Sequence, residues 1–549
     1  MNQEHRDYEF IIVGAGASGC SVASALARSK RRPSVLLLEA GDSNEDPSVR
    51  VHGNMYTQNT NSTQNWGYKS TPLPQANNRQ ISLDRGKGLG GSTAINFTFW
   101  TRGPRDEWDE LARLTDDDAW KWENTERRFG QIEGYRHLIE PGTGAERYCT
   151  HGPDAYGTSG PLRLCSQSTK WSGDLAETTD VWESCGYPMN TDSSTGNPIG
   201  LQVCPLTGHL GTRSTAADLL RDAPGNLYVR TDSIVHQVMF EDSRASAVKL
   251  ANGTTITATK EIILCIGALD TPKILMQSGI GPAEQLSKFR ISVVHYNEHI
   301  GRNLRDHYYV LMLFAAREDA SEALHNAPAT GGAAMGFFKD EGALSSSEFQ
   351  TLTDKERGRL GLPTGPTWEI AHDGARVRPG LEHMGPTSQI TLFILNSQGL
   401  GDVKLRSANP SEPPLVQPGF LEHPWDKRIA VDSTRECLRV MEHPASSKRR
   451  DRSIAHICPK SSSEEDILEF WRDNLTSTWH MMGTCKMGRV EGQDGACADT
   501  AFKVFGVQGL RVADLSVLPL LPSVHTQTYA YQIGMIAAEK IISDYGLST

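Results

Sequence analysis

The feature that most constrains the fold is the order strand, glycine turn, helix and strand within residues 8–41, YEFIIVGAGASGCSVASALARSKRRPSVLLLEAG. The apolar runs at 10–13 and 35–38 predict two parallel strands that are buried on both faces. The composition of residues 20–28 predicts the helix between them. Three glycines at the turn give the pattern G-x-G-x-x-G, which indicates a dinucleotide site when strands and a helix flank it.

Each position of this pattern has a physical reason. Gly14 permits the tight turn, Gly16 lets the backbone approach a pyrophosphate, and Gly19 lets helix and strand pack closely. The pyrophosphate then meets the positive end of the helix. Glu39 can accept hydrogen bonds from ribose hydroxyls, which favours FAD or NAD over NADP; the alternative is a purely structural turn. The residues predicted to bind the nucleotide here are Gly14, Gly16, Ala17, Ser18, Gly19, Glu39 and Ala40.

Composition excludes several classes of protein. The 549 residues carry a net charge of −11 and contain no long basic run, so nucleic acid is not expected as a partner. No apolar stretch approaches the roughly 18–20 residues that span a membrane, and the first 20 residues resemble no secretion signal. We therefore expect an intracellular, cytoplasmic protein. The ten cysteines lack metal-like spacing, so free thiols and no metal site are expected.

A second glycine-rich stretch, DRGKGLGGSTAINFTFWTRG at 84–103, is too rich in glycine for a helix and too apolar for an ordinary surface loop. It lacks the G-K-[ST] of a phosphate-binding P-loop. It resembles the first signature of the glucose–methanol–choline (GMC) family of flavoprotein oxidoreductases. The matching positions are Gly86, Lys87, Leu89, Gly90, Gly91, Ser92, Thr93, Ile95 and Asn96.

Further segments resemble the same family, in the same order along the chain. GALDTPKILMQSGIG at 267–281 is similar to the second signature, and HIGRNLRDH at 299–307 to a third segment. NLYVRTDSIVHQVMF at 226–240 resembles the strand that contacts adenine. WHMMGTCKMG at 479–488 and GLRVADLSVLP at 509–519 resemble the C-terminal catalytic segments. The resemblance covers nearly the whole chain.

The resemblance implies an α/β fold, α+β overall, in which a Rossmann-like FAD-binding domain is interleaved with a substrate-binding domain built on an antiparallel β-sheet with helices. The implied FAD-binding segments are 1–165, 205–310 and 470–549, and the implied substrate-binding segments are 166–204 and 311–469.

Two local patterns agree with this fold. The alternation and prolines of 401–421 predict antiparallel strands with turns. Residues 461–474 predict a capped amphipathic helix, with Ile467, Leu468 and Trp471 on its apolar face.

The resemblance also implies which further residues contact FAD. They are Arg85, Gly86, Gly91, Ser92, Asn96, Val235, Asp514, Thr526 and Gln527. Some family members attach FAD covalently through a histidine just before the signature Asn96. Ile95 occupies that place here, so we expect non-covalent FAD.

Alcohol oxidation needs a base for the hydroxyl proton as well as a hydride acceptor, and histidine suits the first task because it titrates near neutral pH. The resemblance implies that His480 and His525 face the flavin as the catalytic residues. A helix that begins near Thr526 would place its positive end beside His525 and stabilise reduced flavin. The nearby sulfur side chains are expected to pack around the site rather than bind a metal: Met481, Met482, Cys485 and Met487.

The predicted activity is therefore FAD-dependent oxidation of a primary or secondary alcohol to a carbonyl, with O₂ or another electron acceptor. A histidine at 525 resembles members of the aryl-alcohol-oxidase type, which carry two histidines. The sequence leaves the substrate, the acceptor and the oligomeric state open. A hydroxynitrile-lyase-like activity is the main alternative, ahead of fatty-acid photodecarboxylation and a non-catalytic FAD-binding role.

Overall fold

The computed structural model describes residues 7–51, 63–139, 142, 145–149, 155–166, 173–317, 334–378 and 380–548. Its strands are β1 Tyr8–Val13, β2 Val35–Leu38, β3 Tyr68–Lys69, β4 Ser82–Leu83, β5 Glu133–Arg136, β6 Leu162–Cys165, β7 Gly200–Gln202, β8 Leu206–His209, β9 Thr212–Arg213, β10 Leu227–Arg230, β11 Val235–Glu241, β12 Arg244–Leu250, β13 Thr255–Leu264, β14 Ile280–Gly281, β15 His295–Tyr296, β16 Tyr308–Ala315, β17 Ala334–Phe338, β18 Trp368–Val377, β19 Pro386–Ile394, β20 Asp402–Lys404, β21 Leu415–Gln417, β22 Thr476–Ser477 and β23 Leu510–Val512.

The α-helices lie between these strands and on their faces. They are α1 Ala17–Arg28, α2 Pro47–Arg50, α3 Arg105–Thr115, α4 Trp122–Ile132, α5 Gly173–Ser184, α6 Gly267–Gln277, α7 Ala283–Lys288, α8 Ser347–Gln350, α9 Asp354–Leu360, α10 Pro424–Met441, α11 Pro444–Ser447, α12 Glu464–Asn474 and α13 Gln527–Asp544.

A parallel sheet, here called the nucleotide sheet, contains the predicted strand–helix–strand unit. Its parallel strands run in the order β10, β2, β1, β13 and β23, and β12 and β11 extend it antiparallel beside the first half of β13. Ile12 on β1 pairs with Leu37 on one side and Ile263 on the other. All three side chains are fully buried, as the apolar runs of the sequence predict. The unit β1–α1–β2 is confirmed.

An antiparallel sheet, here called the roof sheet, has the strand order β22, β16, β19, β18, β17 and β7. Alternate residues of β16 face opposite ways. Tyr309 and Leu311 line a large cavity, whereas Tyr308 packs into an apolar cluster that includes Trp425 of α10 and Trp471 of α12. The roof sheet therefore has one face on helices and one on the cavity.

The two local predictions hold with one adjustment. Strands β20 and β21 pair antiparallel within 401–421, as a separate two-stranded sheet. Helix α12 begins after Ser463, whose hydroxyl accepts a hydrogen bond from the Asp466 backbone N–H. Ile467 and Trp471 are buried as predicted, and Leu468 is half-buried and packs against the same apolar cluster; Phe470 is buried as well.

The predicted α/β class is confirmed by these layers. The interleaved domain boundaries stay a prediction, and β16 crosses the one placed between residues 310 and 311. Within the described ranges no helix is both long and apolar enough to cross a membrane. None of the ten cysteines, all of which lie in the described ranges, forms a disulfide.

Candidate active site

A cavity of about 650 Å³ lies between the nucleotide sheet and the roof sheet. It brings together residues that are far apart in the chain. The predicted site residues that line it are Gly14, Gly16, Ala17, Ser18, Glu39, Ala40, Arg85, Gly86, Gly91, Ser92, Asn96, Val235, His480, Asp514, His525, Thr526 and Gln527. Gly19 alone among the predicted residues does not line the cavity. A Cβ there would overlap the Gly14 carbonyl, so Gly19 serves the close packing of helix and strand.

The first glycine turn leaves an open face toward this cavity. Gly14 has φ +97°, and a Cβ on it would lie 2.6 Å from the Cys265 carbonyl oxygen. A Cβ on Gly16 would meet no atom within 4 Å, so the space above its backbone is free. Helix α1 starts directly after Gly16 and has no acidic residue in its first turn. The turn therefore offers bare backbone and a positive helix end to an anion.

Glu39 joins the two glycine-rich segments. Its carboxylate accepts hydrogen bonds from three backbone N–H groups, those of Ala15 at 2.8 Å, Gly41 at 3.0 Å and Gly88 at 2.9 Å. Burial raises the pKa of Glu39, and these bonds oppose that rise. The sequence suggested a ribose contact; the observed contacts add a structural role, because the carboxylate fixes both loops.

Two buried polar atoms on the cavity wall lack hydrogen-bond partners among the residues that the structure describes. They are Nε of Arg85 and Nε2 of Gln527. Gln527 is the first residue of α13, and its Oε1 accepts a hydrogen bond from the Asn96 side chain. Both unpartnered atoms are donors, so they suit a ligand with phosphate or carbonyl oxygens. This donor set fits FAD.

Two other residues predicted to bind FAD, Asp514 and Ser18, make hydrogen bonds within the protein. Asp514 accepts hydrogen bonds from the Gly267 backbone N–H at 2.9 Å and the Thr271 hydroxyl at 2.6 Å, and so holds the start of α6. The Ser18 hydroxyl donates to the Ala530 carbonyl at 2.6 Å and ties α1 to α13. Asp514 and Ser18 both line the cavity, and their side chains hold neighbouring backbone segments in place.

The two predicted histidines meet at one end of the cavity. The ring centroids of His480 and His525 lie 5.1 Å apart. His480 follows β22, and its backbone N–H donates to Oδ1 of Asp306 at 2.8 Å. The Ser477 hydroxyl donates to the other oxygen of Asp306 at 2.5 Å. Burial raises the pKa of Asp306 to about 7. The two histidines, 45 positions apart in the chain, are thus direct neighbours in the cavity.

The ring of His480 has a neutral neighbour. Its Nδ1 lies 3.0 Å from Nδ1 of His307. Burial lowers the pKa of His307 to about 3. Burial also holds the pKa of His480 well below its usual range, and the rings of His525 and His307 and the Arg85 guanidinium add to this effect. His480 is therefore neutral near pH 7, with Nε2 as the nitrogen not engaged by His307.

The ring of His525 has a carboxylate neighbour. Its Nε2 lies 2.8 Å from Oε1 of Glu369 on β18. Sequence reasoning missed both partners. His307 ends the quoted segment 299–307 and could have been singled out there. Glu369 sits in a strand without a motif, and no sequence signal pointed to it.

A known family model matches most of the chain. The GMC oxidoreductase family model matches in two parts, an N-terminal part at residues 8–309 and a C-terminal part at 397–534. The chain belongs to the GMC oxidoreductase family, whose members use FAD. This family is the one that the sequence motifs resemble.

Several relatives match over nearly their full length. The dehydrogenase pkfF of Emericella nidulans is 29% identical, over 97% of this chain and 92% of that protein. The alcohol dehydrogenase [acceptor] of Pseudomonas putida is 28% identical, over 97% and 96%. The oxygen-dependent choline dehydrogenase of Cronobacter sakazakii is 28% identical, over 97% and 95%.

Solved structures share the fold. An Aspergillus oryzae formate oxidase carrying the R554A mutation has a TM-score of 0.85 and 22% identity, covering 99% of this chain and 100% of that one. A fungal aryl-alcohol oxidase has a TM-score of 0.84 and 23% identity, covering 99% and 100%.

Proposed function

We propose that this protein oxidises an alcohol to a carbonyl with FAD as the hydride acceptor and His480 as the base. The observation that carries the proposal is the meeting of His480 and His525 in the cavity that the glycine turns also line. The relatives include an alcohol dehydrogenase and choline dehydrogenases. Nothing favours the lyase alternative.

The chain's own residues supply the acid–base part of this reaction. Neutral His480 accepts the hydroxyl proton at Nε2, while its Nδ1 stays engaged with His307. His525 donates a hydrogen bond to the substrate oxygen and fixes its position. Bound FAD supplies the acceptor for the hydride that leaves the carbinol carbon. The positive end of α13, whose first turn has no acidic residue, would favour negative charge on a cofactor bound beside it.

The proposed FAD site uses the residues assembled along the cavity. Gly16 and the start of α1 would face the pyrophosphate, Val235 the adenine, and Arg85 and Gln527 oxygen atoms of the cofactor. Glu39 would accept from the ribose while it holds the two loops. The FAD-binding segments are 1–165, 205–310 and 470–549, and the substrate-binding segments are 166–204 and 311–469.

We expect the FAD to be held without a covalent bond. Ile95, which lines the cavity and is buried, occupies the place where covalent members carry histidine. An aliphatic side chain offers no nucleophile for such a bond.

An anaerobic panel of alcohols tests the activity. Primary aromatic, allylic and aliphatic alcohols are mixed with the purified yellow protein in the absence of oxygen, and flavin absorbance is followed. The proposal expects at least one alcohol to bleach the flavin and to yield its carbonyl product. Flavin that stays oxidised with every alcohol, while dithionite bleaches it, would contradict alcohol oxidation.

A further inference from the structure

Arg213 on β9 is a buried cation whose hydrogen-bond partners are all neutral. Its side chain is fully buried. Nη1 donates to the carbonyl oxygens of Thr93 at 3.2 Å and Asn96 at 2.7 Å, and to Oδ1 of Asn96 at 2.9 Å. Nε and Nη2 have no hydrogen-bond partner in the described part of the chain. The guanidinium is therefore held on one side and left short of acceptors on the other.

The charge of Arg213 also lacks a counter-ion within the described ranges. Arg128 and Arg511, which are buried to the same extent, each pair with a carboxylate. Burial and the neighbouring charge of Arg50 lower the pKa of Arg213 to about 10, so the side chain stays charged near pH 7. A buried charge without a partner is strongly unfavourable. The position of Arg213 therefore suits a negative group that the chain itself does not supply.

This charge fixes the orientation of two amide side chains. A guanidinium can only donate, so Asn96 turns Oδ1 toward Arg213, where the same oxygen accepts from the Thr98 backbone N–H at 3.1 Å. Nδ2 of Asn96 then donates to Oε1 of Gln527. Gln527 consequently turns Nε2 away from Asn96, and this nitrogen has no partner among the described residues.

Arg213, Asn96 and Gln527 thus form a directed chain of donors, here called the amide relay. Asn96 and Gln527 line the cavity, and Arg213 lies behind them. Each hydrogen bond of such a chain polarises the next. Helix α13 begins at Gln527, so its positive end acts in the same place. The relay therefore presents positive charge and a fixed donor to whatever occupies the cavity.

We propose that Arg213 is a positioning residue that raises the reduction potential of bound FAD, because the amide relay favours the anionic reduced form over the neutral oxidised form. This inference rests on the proposed FAD site. In the proposed reaction the alcohol is oxidised and FAD is reduced by the transferred hydride. Arg213, Asn96 and Gln527 keep all of their protons throughout. Charge near the flavin ring is a means by which a protein tunes this cofactor.

The reduction potential of the FAD-loaded protein tests the proposal without an alcohol. Wild type, Arg213→Met and Arg213→Lys are titrated anaerobically with dithionite beside a reference dye. We expect Arg213→Met to weaken the binding of reduced FAD relative to oxidised FAD by about tenfold or more, which lowers the two-electron potential by about 30 mV or more. Arg213→Lys keeps the charge and should stay close to wild type. A purely structural arginine would give both variants the same potential, since both lose the guanidinium.

Arg50→Gln is the charge control. Arg50 lies near enough to Arg213 to lower its pKa, but it is partly exposed and pairs with Asp218 at 3.0 Å. Removal of this compensated charge should lower the potential much less than Arg213→Met does. An equal effect of the two variants would show that any nearby cation suffices and would contradict the special role of Arg213.

An unchanged or higher potential in Arg213→Met would overturn the proposal, and so would an equal fall in Arg213→Met and Arg213→Lys. If Arg213→Met does not retain FAD, Asn96→Asp serves in its place. A carboxylate at that position neutralises Arg213 and accepts from Gln527, so the potential should fall; an unchanged potential there would equally overturn the proposal. Failure of the alcohol panel leaves the potentials readable, so the two proposals fail separately.

Discussion

At the scale of single residues, the two histidines share a cavity but differ in their partners. The ring of His480 contacts the neutral ring of His307, and the ring of His525 contacts the carboxylate of Glu369. Neutral His480 can accept a proton across the neutral pH range, because burial holds its pKa well below the usual value. The rate of flavin reduction should therefore be nearly level from pH 6.5 to 8.

Replacement of the histidines tests their roles. His480→Ala should keep FAD but lose a factor of about 10²–10⁴ in the rate constant of flavin reduction, the usual contribution of a general base. His525→Ala should lose a comparable or smaller factor. The rate loss of the double variant should be far smaller than the product of the two single losses, since both rings act on one hydroxyl. Anaerobic stopped-flow absorbance measures all three. Near wild-type rates in both single variants would show that neither histidine is the base and that both rings have a structural role.

Gly16 tests the nucleotide site. Gly16→Val should abolish FAD retention, because its side chain would fill the open space over the turn. Gly225→Val is the matched control, since a Cβ on Gly225 also meets no atom within 4 Å but lies outside the cavity. The flavin-to-protein absorbance ratio after purification measures retention. Full occupancy in Gly16→Val would show that the turn does not hold the cofactor.

At the scale of elements, helix α3 anchors the loop that precedes α13. Glu107 on α3 is buried and accepts from the Ser523 backbone N–H at 3.0 Å and hydroxyl at 2.5 Å, two residues before His525. Burial raises the pKa of Glu107 to about 7. This carboxyl therefore links the placement of His525 to pH.

The stability of the fold should show this link. The folded-state pKa of Glu107 exceeds its ordinary value of 4.5. The contribution of this group to the free energy of unfolding is therefore fully present below that value and is lost as pH rises toward about 7. Glu107→Gln cannot titrate, so its melting temperature relative to wild type should rise between pH 4.5 and 7.5. Parallel melting curves for the two proteins across this range would contradict the assignment.

The elements differed in how well the sequence predicted them. β1, α1 and β2 were predictable because their turn chemistry and apolar runs are local, and α12 because its cap and period lie within one segment. The His525–Glu369 contact was not predictable, because strand order and register bring together residues 156 positions apart. The same holds for the burial of Phe470 beside Ile467 and Trp471, which depends on how α12 packs against the rest of its apolar cluster.

At the scale of the whole molecule, the cavity is formed between two sheets, and residues of both sheets line it. A cofactor in that space contacts both. Non-covalent FAD should therefore leave when the tertiary structure is lost. Acid precipitation of the yellow protein should release FAD into the supernatant, where its absorbance is measured. Flavin that stays with the precipitated chain would show a covalent bond and contradict the inference from Ile95.

The central claim, hydride removal from an alcohol with His480 as base, is tested most directly by anaerobic flavin reduction with an alcohol that bleaches the flavin and with its carbinol-deuterated form. We predict one carbonyl formed per flavin reduced and a slower reduction with deuterium, both in wild type and in His480→Ala, with the variant slower throughout. Equal rates for the two isotopologues and an unimpaired variant would contradict the claim.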